Sequence, residues 1–346
     1  VKTFTLTRSG AAVAALSAAA LVLSGCSGAT GGEGDFLACA VSDEGSFEDK
    51  SFNQSVLLGL QQAEEEYGIE ILALESASDE DFDPNMQTAV DNNCDITFAV
   101  GFKLADVANR FAETYPDMNF ALVDDFSNFP NLKQLQYNVA EAGFLAGYLS
   151  AAYSTSKVIG TYGGMNFPSV TAFMDGFYYG AQLWAEDSGE SIEVLGWDPA
   201  DPESGSFVGD FSNTNVALQI SQTQIEAGAD VILPVAGGLF SATAEAIGDS
   251  DVVMLGVDLD VAANSPEYAD VILTSVEKGL TQSVVTVIEE MLDSGFDGTG
   301  YLGTLANGGV KISPLYDFES KVDQAVLDRL EEIEAGIIAG EISVTG

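Results

Sequence analysis

The chain has 346 residues, with 54 acidic against 11 basic side chains, no histidine and a formal net charge of −43 at pH 7. That length favours two packed lobes over one core. The charge excludes a nucleic-acid partner, which needs the opposite sign, and the missing imidazole excludes Ser-His-Asp and Cys-His catalysis together with the usual zinc sites.

From the start of the chain, VKTFTLTRSGAAVAALSAAALVLSGC (1–26) joins a basic beginning, Lys2 and Arg8, to an apolar stretch and small residues before a cysteine. This reads as an export signal. LSGC resembles the bacterial lipobox, so Cys26 is the expected lipidated N-terminus of a mature chain anchored on the extracytoplasmic face of the membrane. SGATGGEGD (27–35) follows as a flexible polar linker. No later run reaches the roughly 18–20 apolar residues of a helical span. The acidic remainder fits a highly soluble surface, and adaptation to high salt, where screening relieves self-repulsion, is the sharper expectation.

FLACAV (36–41), IEILAL (69–74), DITFAV (95–100) and MNFALV (118–123) are apolar runs of strand length, as in buried parallel sheets. Helical patterns lie between them near 52–67, 84–92 and 104–115. In the first, Phe52, Val56, Leu60, Ala63 and Tyr67 share a face, Ser51 or Asp49 can cap the start, and Gly68 ends it. Cys39 and Cys94 fall at neighbouring strands of this lobe. An oxidising exterior invites a disulfide between them, two buried thiols being the alternative. The alternation resumes with KVIGTY (157–162), a helix over 169–186, SIEVLGW (191–197), a helix over 212–227, DVILPVA (230–236), VVMLGVD (252–258) and DVILTSV (270–276), then helices over 279–294 and 321–340. Such a series predicts α/β lobes with parallel sheets.

Chemistry-bearing residues gather where strands end. Asp43 follows the first strand, Asp106 the third, Asp258 and Asp260 lie in LGVDLD, and Lys278 closes TSVEK. Glycine pairs at 163–164 and 237–238 also follow strands, where open α/β sheets bind ligands and where backbone can approach one closely. Neither pair forms a GxGxxG and no GxxxxGK[ST] occurs. DEDFDPN (79–85) lacks the glycine and distal glutamate of a calcium loop, so no metal or cofactor is expected. Arginines occur only at positions 8, 110 and 329. Many acceptors with one mobile cation suit a neutral, hydroxyl- or amide-bearing ligand and disfavour phosphates. Periodicity alone favours Phe52 as a core aromatic on the buried helical face; a ring presented to a flat ligand from the start of the helix is the alternative.

The segments SDEGSFEDKSFNQ (42–54), VGFKLADV (100–107), EAGFLAGYLSA (141–151), FMDGFYYGA (173–181), GSFVGDFSNTNVALQ (205–219), GADVILPVAGG (228–238), LGVDLD (255–260) and TSVEKG (274–279) together resemble the basic membrane protein family of lipoproteins. The resemblance implies a type I periplasmic-binding-protein fold with three crossovers, lobe 1 taking residues 36–138 and 256–297, lobe 2 taking 139–255 and 298–346. It implies no enzyme, but the substrate-binding protein of an ABC importer that hands a purine nucleoside to a membrane permease. It further implies a base held between Phe52 and Phe207, with Asp43, Asn53 and Asp106 at the base, Asp258 and Lys278 on the ribose hydroxyls, and Gly238 approaching closely. Leu239 and Phe240 depart from the family's glycine-containing turn after VAGG, and residues 196–207 are locally expanded, so Phe240 is an alternative second ring. Two other readings remain at this level: a receptor for a sugar or signalling ligand on the same fold, and a carboxylate-dependent nucleoside or glycoside hydrolase.

Overall fold

A computed structural model describes residues 36–345; the expected signal, linker and Cys26 lie outside them. The chain begins β1 (Leu37–Val41), α1 (Phe52–Tyr67), β2 (Glu70–Leu74), α2 (Phe82–Asp91), β3 (Ile96–Ala99), α3 (Ala105–Thr114), β4 (Phe120–Val123) and β5 (Leu132–Tyr137). It continues α4 (Val139–Tyr153), β6 (Val158–Gly163), α5 (Pro168–Ser188), β7 (Glu193–Leu195), α6 (Thr214–Glu226), β8 (Val231–Val235), α7 (Phe240–Ile247), β9 (Val253–Asp258), α8 (Val261–Asn264) and β10 (Ile272–Lys278). The last part is α9 (Leu280–Ser294), β11 (Tyr301–Gly303), β12 (Val310–Ile312) and α10 (Gln324–Ile338).

Two six-stranded sheets result, ordered β11-β5-β4-β3-β1-β2 and β12-β10-β9-β8-β6-β7. Every pairing is parallel except β10 with β12. The chain passes between lobes at β5–α4, β10–α9 and β11–β12, three crossovers in the type I periplasmic-binding-protein manner. The second sheet therefore takes residues 256–278, which the sequence reading gives to lobe 1. β9 pairs with β8 and β10 with β9, extending one sheet outward, and only at α9 does the chain return to pack on α1. Conversely, β11 belongs to the first sheet.

Parity along the strands builds the cores. In the first lobe Ala38, Ala40, Ile96, Phe98, Ala121 and Val123 point to the α1–α9 face, and Val41, Ala99, Phe120 and Leu122 to the α2–α3 face, so both faces are covered and the strands read as unbroken apolar runs. In the second lobe α4 and α5 cover one face, and they touch so closely that glycine is required. A Cβ on Gly147 would lie 2.0 Å from the Phe177 carbonyl oxygen, and one on Gly180 would lie 1.9 Å from that of Phe144. Cys39 on β1 and Cys94 just before β3 form a disulfide that ties these two neighbouring segments of the first sheet.

Candidate functional site

In each sheet the chain leaves its first strand to one side, at β2 and β7, and then returns to the other side, at β3 and β8. The crevice at such a reversal, outside the carboxyl ends of the strands, is where open α/β sheets take ligands. Here the two crevices face one another. A cavity of about 280 Å³ lies between them, lined from the first lobe by Asp43, Asp49, Phe52, Asn53, Phe102 and Asp124 and from the second by Phe173, Phe211, Gly238, Asp258 and Lys278. Its size is near the lower end of small-ligand pockets, roughly 300–1,000 Å³.

The loop after β1 is built by carboxylates. Asp49 accepts the backbone N–H groups of Ser51 (2.9 Å), Asn53 (2.9 Å) and Gln54 (3.1 Å), satisfying donors that the first turn of α1 would otherwise leave open. Asn53 Nδ2 donates to Asp43 Oδ1 (2.8 Å) and Asp49 Oδ2 (3.2 Å), and Gly45 N donates to the same Asp43 oxygen (2.9 Å). Asp43 is 6% exposed, and burial pushes its carboxyl up to about 7 against the pull of those hydrogen bonds. Asp43 Oδ2 would lie 3.2 Å and the edge of the Phe52 ring 3.3 Å from a Cβ on Gly101, so the free acceptor and the ring sit side by side.

Lys278 occupies the junction of the lobes. Its Nζ donates to Asp124 Oδ2 (2.6 Å) and lies 5.1 Å from the ring centre of Phe52, 5.4 Å from Phe173 and 5.6 Å from Tyr137, within cation–π range. Burial pushes the Asp258 carboxyl up to about 6, with Lys278 and the Ser51 hydroxyl pulling it down. Asp124 is likewise raised by burial and lowered by Lys278. Both aspartates hold left-handed backbone, φ 68° at Asp124 and 70° at Asp258, a conformation uncommon outside glycine that gathers at functional strand ends.

The lobes touch around the cavity. Ser51 Oγ donates to Asp258 Oδ2 (2.7 Å), Phe102 stacks on Phe167 with ring centres 3.9 Å apart, and Lys50 pairs with Glu267. Gly238 approaches the backbone of Asp49 so nearly that a Cβ would stand 2.6 Å from its carbonyl oxygen.

Six of the expected ligand residues, Asp43, Phe52, Asn53, Gly238, Asp258 and Lys278, thus line one cavity. Two do not. Asp106 is exposed in the first turn of α3, where an acid complements the helix dipole. Phe207 is held by a bridge to Gly163 at the end of β6 and turns its ring onto Trp197, 5.9 Å between centres. Phe240 is buried against Tyr268. The cavity-facing aromatic of that region is Phe211, laid over Gly164. Sequence reasoning also passes over Phe102, Glu44 and Asp124 as ligand residues; Asp124 carries the same strand-end signal that singles out Asp258.

Two α/β lobes, three crossovers and a polar, aromatic cavity between opposed strand ends define a solute-binding protein of the type I periplasmic class. The family described as "ABC transporter substrate-binding protein PnrA-like" matches residues 36–346, and the chain belongs to it; these are binding proteins of ABC transporters, not enzymes. It is similar to the ABC transporter nucleoside-binding protein BmpA of Lactococcus lactis, 28% identical over 96% of this chain and 97% of that one. It is also similar to an uncharacterized lipoprotein of Pyrococcus furiosus, 29% identical over 85% of this chain and 75% of that one. A crystal structure of an ABC transporter solute-binding protein from Aeropyrum pernix agrees in fold, with TM-score 0.79 at 21% identity over 89% of this chain and 92% of that one.

Proposed function

We propose that the protein is the lipid-anchored, extracytoplasmic receptor of an ABC importer and that it closes its lobes on a purine nucleoside for delivery to the permease. The observation that carries this reading is the single cavity that brings Phe52 and Phe211 together with Asp43, Asp258 and Lys278 from opposite lobes. A flat base stacks between the rings, and Asn53 holds the Asp43 carboxylate for the base edge. Asp258, Asp124 and Lys278 take the ribose hydroxyls, with charges balanced so that a neutral sugar is matched and a phosphate is repelled. Gly238 lets the second lobe close over the loop after β1. The nucleoside-binding relative named above and the family's role in transport support the ligand class and the permease partner; the lipoprotein relative supports the anchor at Cys26.

Calorimetry with adenosine, guanosine, inosine and ribose tests the ligand class. Nucleosides are expected to bind and ribose alone to bind far more weakly, because each stacked base contributes about 1–3 kcal/mol. On that scale Phe52→Ala and Phe211→Ala each weaken binding by about fivefold to about 150-fold, whereas Phe207→Ala leaves affinity near wild type. Ribose binding as tightly as any nucleoside would transfer the protein to sugar uptake. Cys26→Ala is expected to release the protein from the membrane fraction.

A further inference from the structure

The first-lobe wall of the cavity has spent its amide and ammonium donors internally. Asn53 Nδ2 serves Asp43 and Asp49, Gly45 N serves Asp43, and Lys103 serves Glu44 (2.9 Å) and Asp79 (2.7 Å). The amide of Asn53 cannot be turned round, since its oxygen would then face two carboxylates. What this leaves is acceptors. Among the described residues Asp43 Oδ2 accepts no hydrogen bond, and Glu44 Oε1 and Asn53 Oδ1 are buried with no partner; all three residues line the cavity. The other polar side chains of that loop in the lining are Asp49, whose two oxygens are taken by Ser51, Asn53 and Gln54, and Ser46, whose hydroxyl adapts to either role.

Unsatisfied buried acceptors select a ligand edge that consists of donors, and they penalise one that places a lone pair against them. Purine edges differ in this respect. A 2-amino-6-oxo base presents N1–H and an exocyclic amino group side by side, a 6-oxo base presents N1–H alone, and a 6-amino base sets the N1 lone pair beside its amino group. Resting on the nucleoside reading above, we infer that Asp43, Glu44 and Asn53 make this a receptor selective for 6-oxopurine nucleosides, guanosine before inosine before adenosine, with Glu44 and Asn53 acting as specificity residues alongside Asp43.

Calorimetry of ligand-stripped protein at pH 8 with the three nucleosides tests the inference. Guanosine is expected to bind about tenfold or more tightly than adenosine, with inosine between. Asp43→Asn, whose amide offers both a donor and an acceptor, should bring the guanosine-to-adenosine ratio to within about threefold, mainly by loss of guanosine affinity. Glu44→Gln lies outside the core and guards against misfolding of the first variant; it should narrow the same ratio by at least about threefold. Adenosine binding as tightly as guanosine, or a ratio unmoved by both substitutions, overturns the inference and leaves nucleoside capture intact. Failure of all three nucleosides to bind overturns both.

Discussion

Asp43 and Asp258 hold their protons more tightly in the folded protein than the usual carboxyl value of 3.8, up to about 7 and about 6, burial being the largest cause at each. Asp43 is faced by Asp49 and Glu44, and Asp258 by Lys278, Ser51, Asp124 and Asp49. The sign follows from proton linkage. A folded-state value above the unfolded one means that the native state binds more protons between the two, so stability is greatest at the low end of that window and is lost as pH rises through it. Ligand-free protein is therefore expected to melt at a lower temperature at about pH 7.5 than at about pH 5.5, a range in which ordinary carboxylates are already ionised. Asp43→Asn and Asp258→Asn should each flatten that slope and raise the melting temperature at pH 7.5 while weakening nucleoside binding. A slope unchanged in both variants would show that these two groups do not carry it. The residues that make the site thus cost the fold stability, as preorganised sites commonly do.

At the scale of elements, sequence pattern exposes the βα series because strands covered on both faces are uninterrupted apolar runs. It hides what breaks that rule. β5 breaks its apolar run with Lys133, Gln134 and Gln136 in LKQLQY, and β11 and β12 have three residues each. α4 is apolar nearly all round, buried between α5, α10 and the second sheet, so it shows no stripe at helical period. Its glycines, read from the sequence only as part of a family segment, are packing devices, because Gly143 and Gly147 meet the α5 backbone at Phe173 and Phe177, while Gly176 and Gly180 of α5 meet the α4 backbone at Ala140 and Phe144. Gly147→Val should destabilise by at least about 1–3 kcal/mol, the usual cost of overpacking, with nucleoside affinity of the folded fraction retained. Gly238→Ala should do the opposite, leaving the melting temperature near wild type and weakening binding, since its Cβ meets Asp49 only when the lobes touch. The site was legible to the same extent and for a related reason. Strand-end aspartates and the DKSFN helix start are local signals, whereas Phe207 and Phe211 lie in one irregular stretch where only the backbone bridge at Gly163 decides which ring faces inward.

Over the whole molecule, charge is the dominant constraint. The sequence holds 54 acids against 11 bases, and among the described residues the cations are already engaged. Lys50, Lys103, Arg110, Lys133, Lys278, Lys311 and Arg329 are in ion pairs, while Lys157 and Lys321 lie over the rings of Trp184 and Phe318. Most carboxylates therefore have no cationic partner among the described residues, and the folded state concentrates a repulsion that the unfolded chain dilutes. Salt shortens the reach of that repulsion from about 10 Å at 0.1 M to about 3 Å at 1 M. The exposed ion pairs that salt also weakens are worth only about 0–1 kcal/mol each, so the net effect has one sign: the melting temperature should rise steadily between about 0.05 and 1 M sodium chloride. Two controls separate screening from other sources of stability. The Cys39–Cys94 disulfide constrains the unfolded chain by an amount independent of salt, between about 3 and 4.7 kcal/mol for a loop of this length, so reduction should lower the melting curve without changing its slope against salt. Sucrose, which strengthens burial without screening, should raise stability in the same way at low and high salt. A melting temperature flat across the salt series would mean that the unpaired carboxylates are far enough apart, or hydrated well enough, to be tolerated without salt, and the acidity would then serve solubility alone.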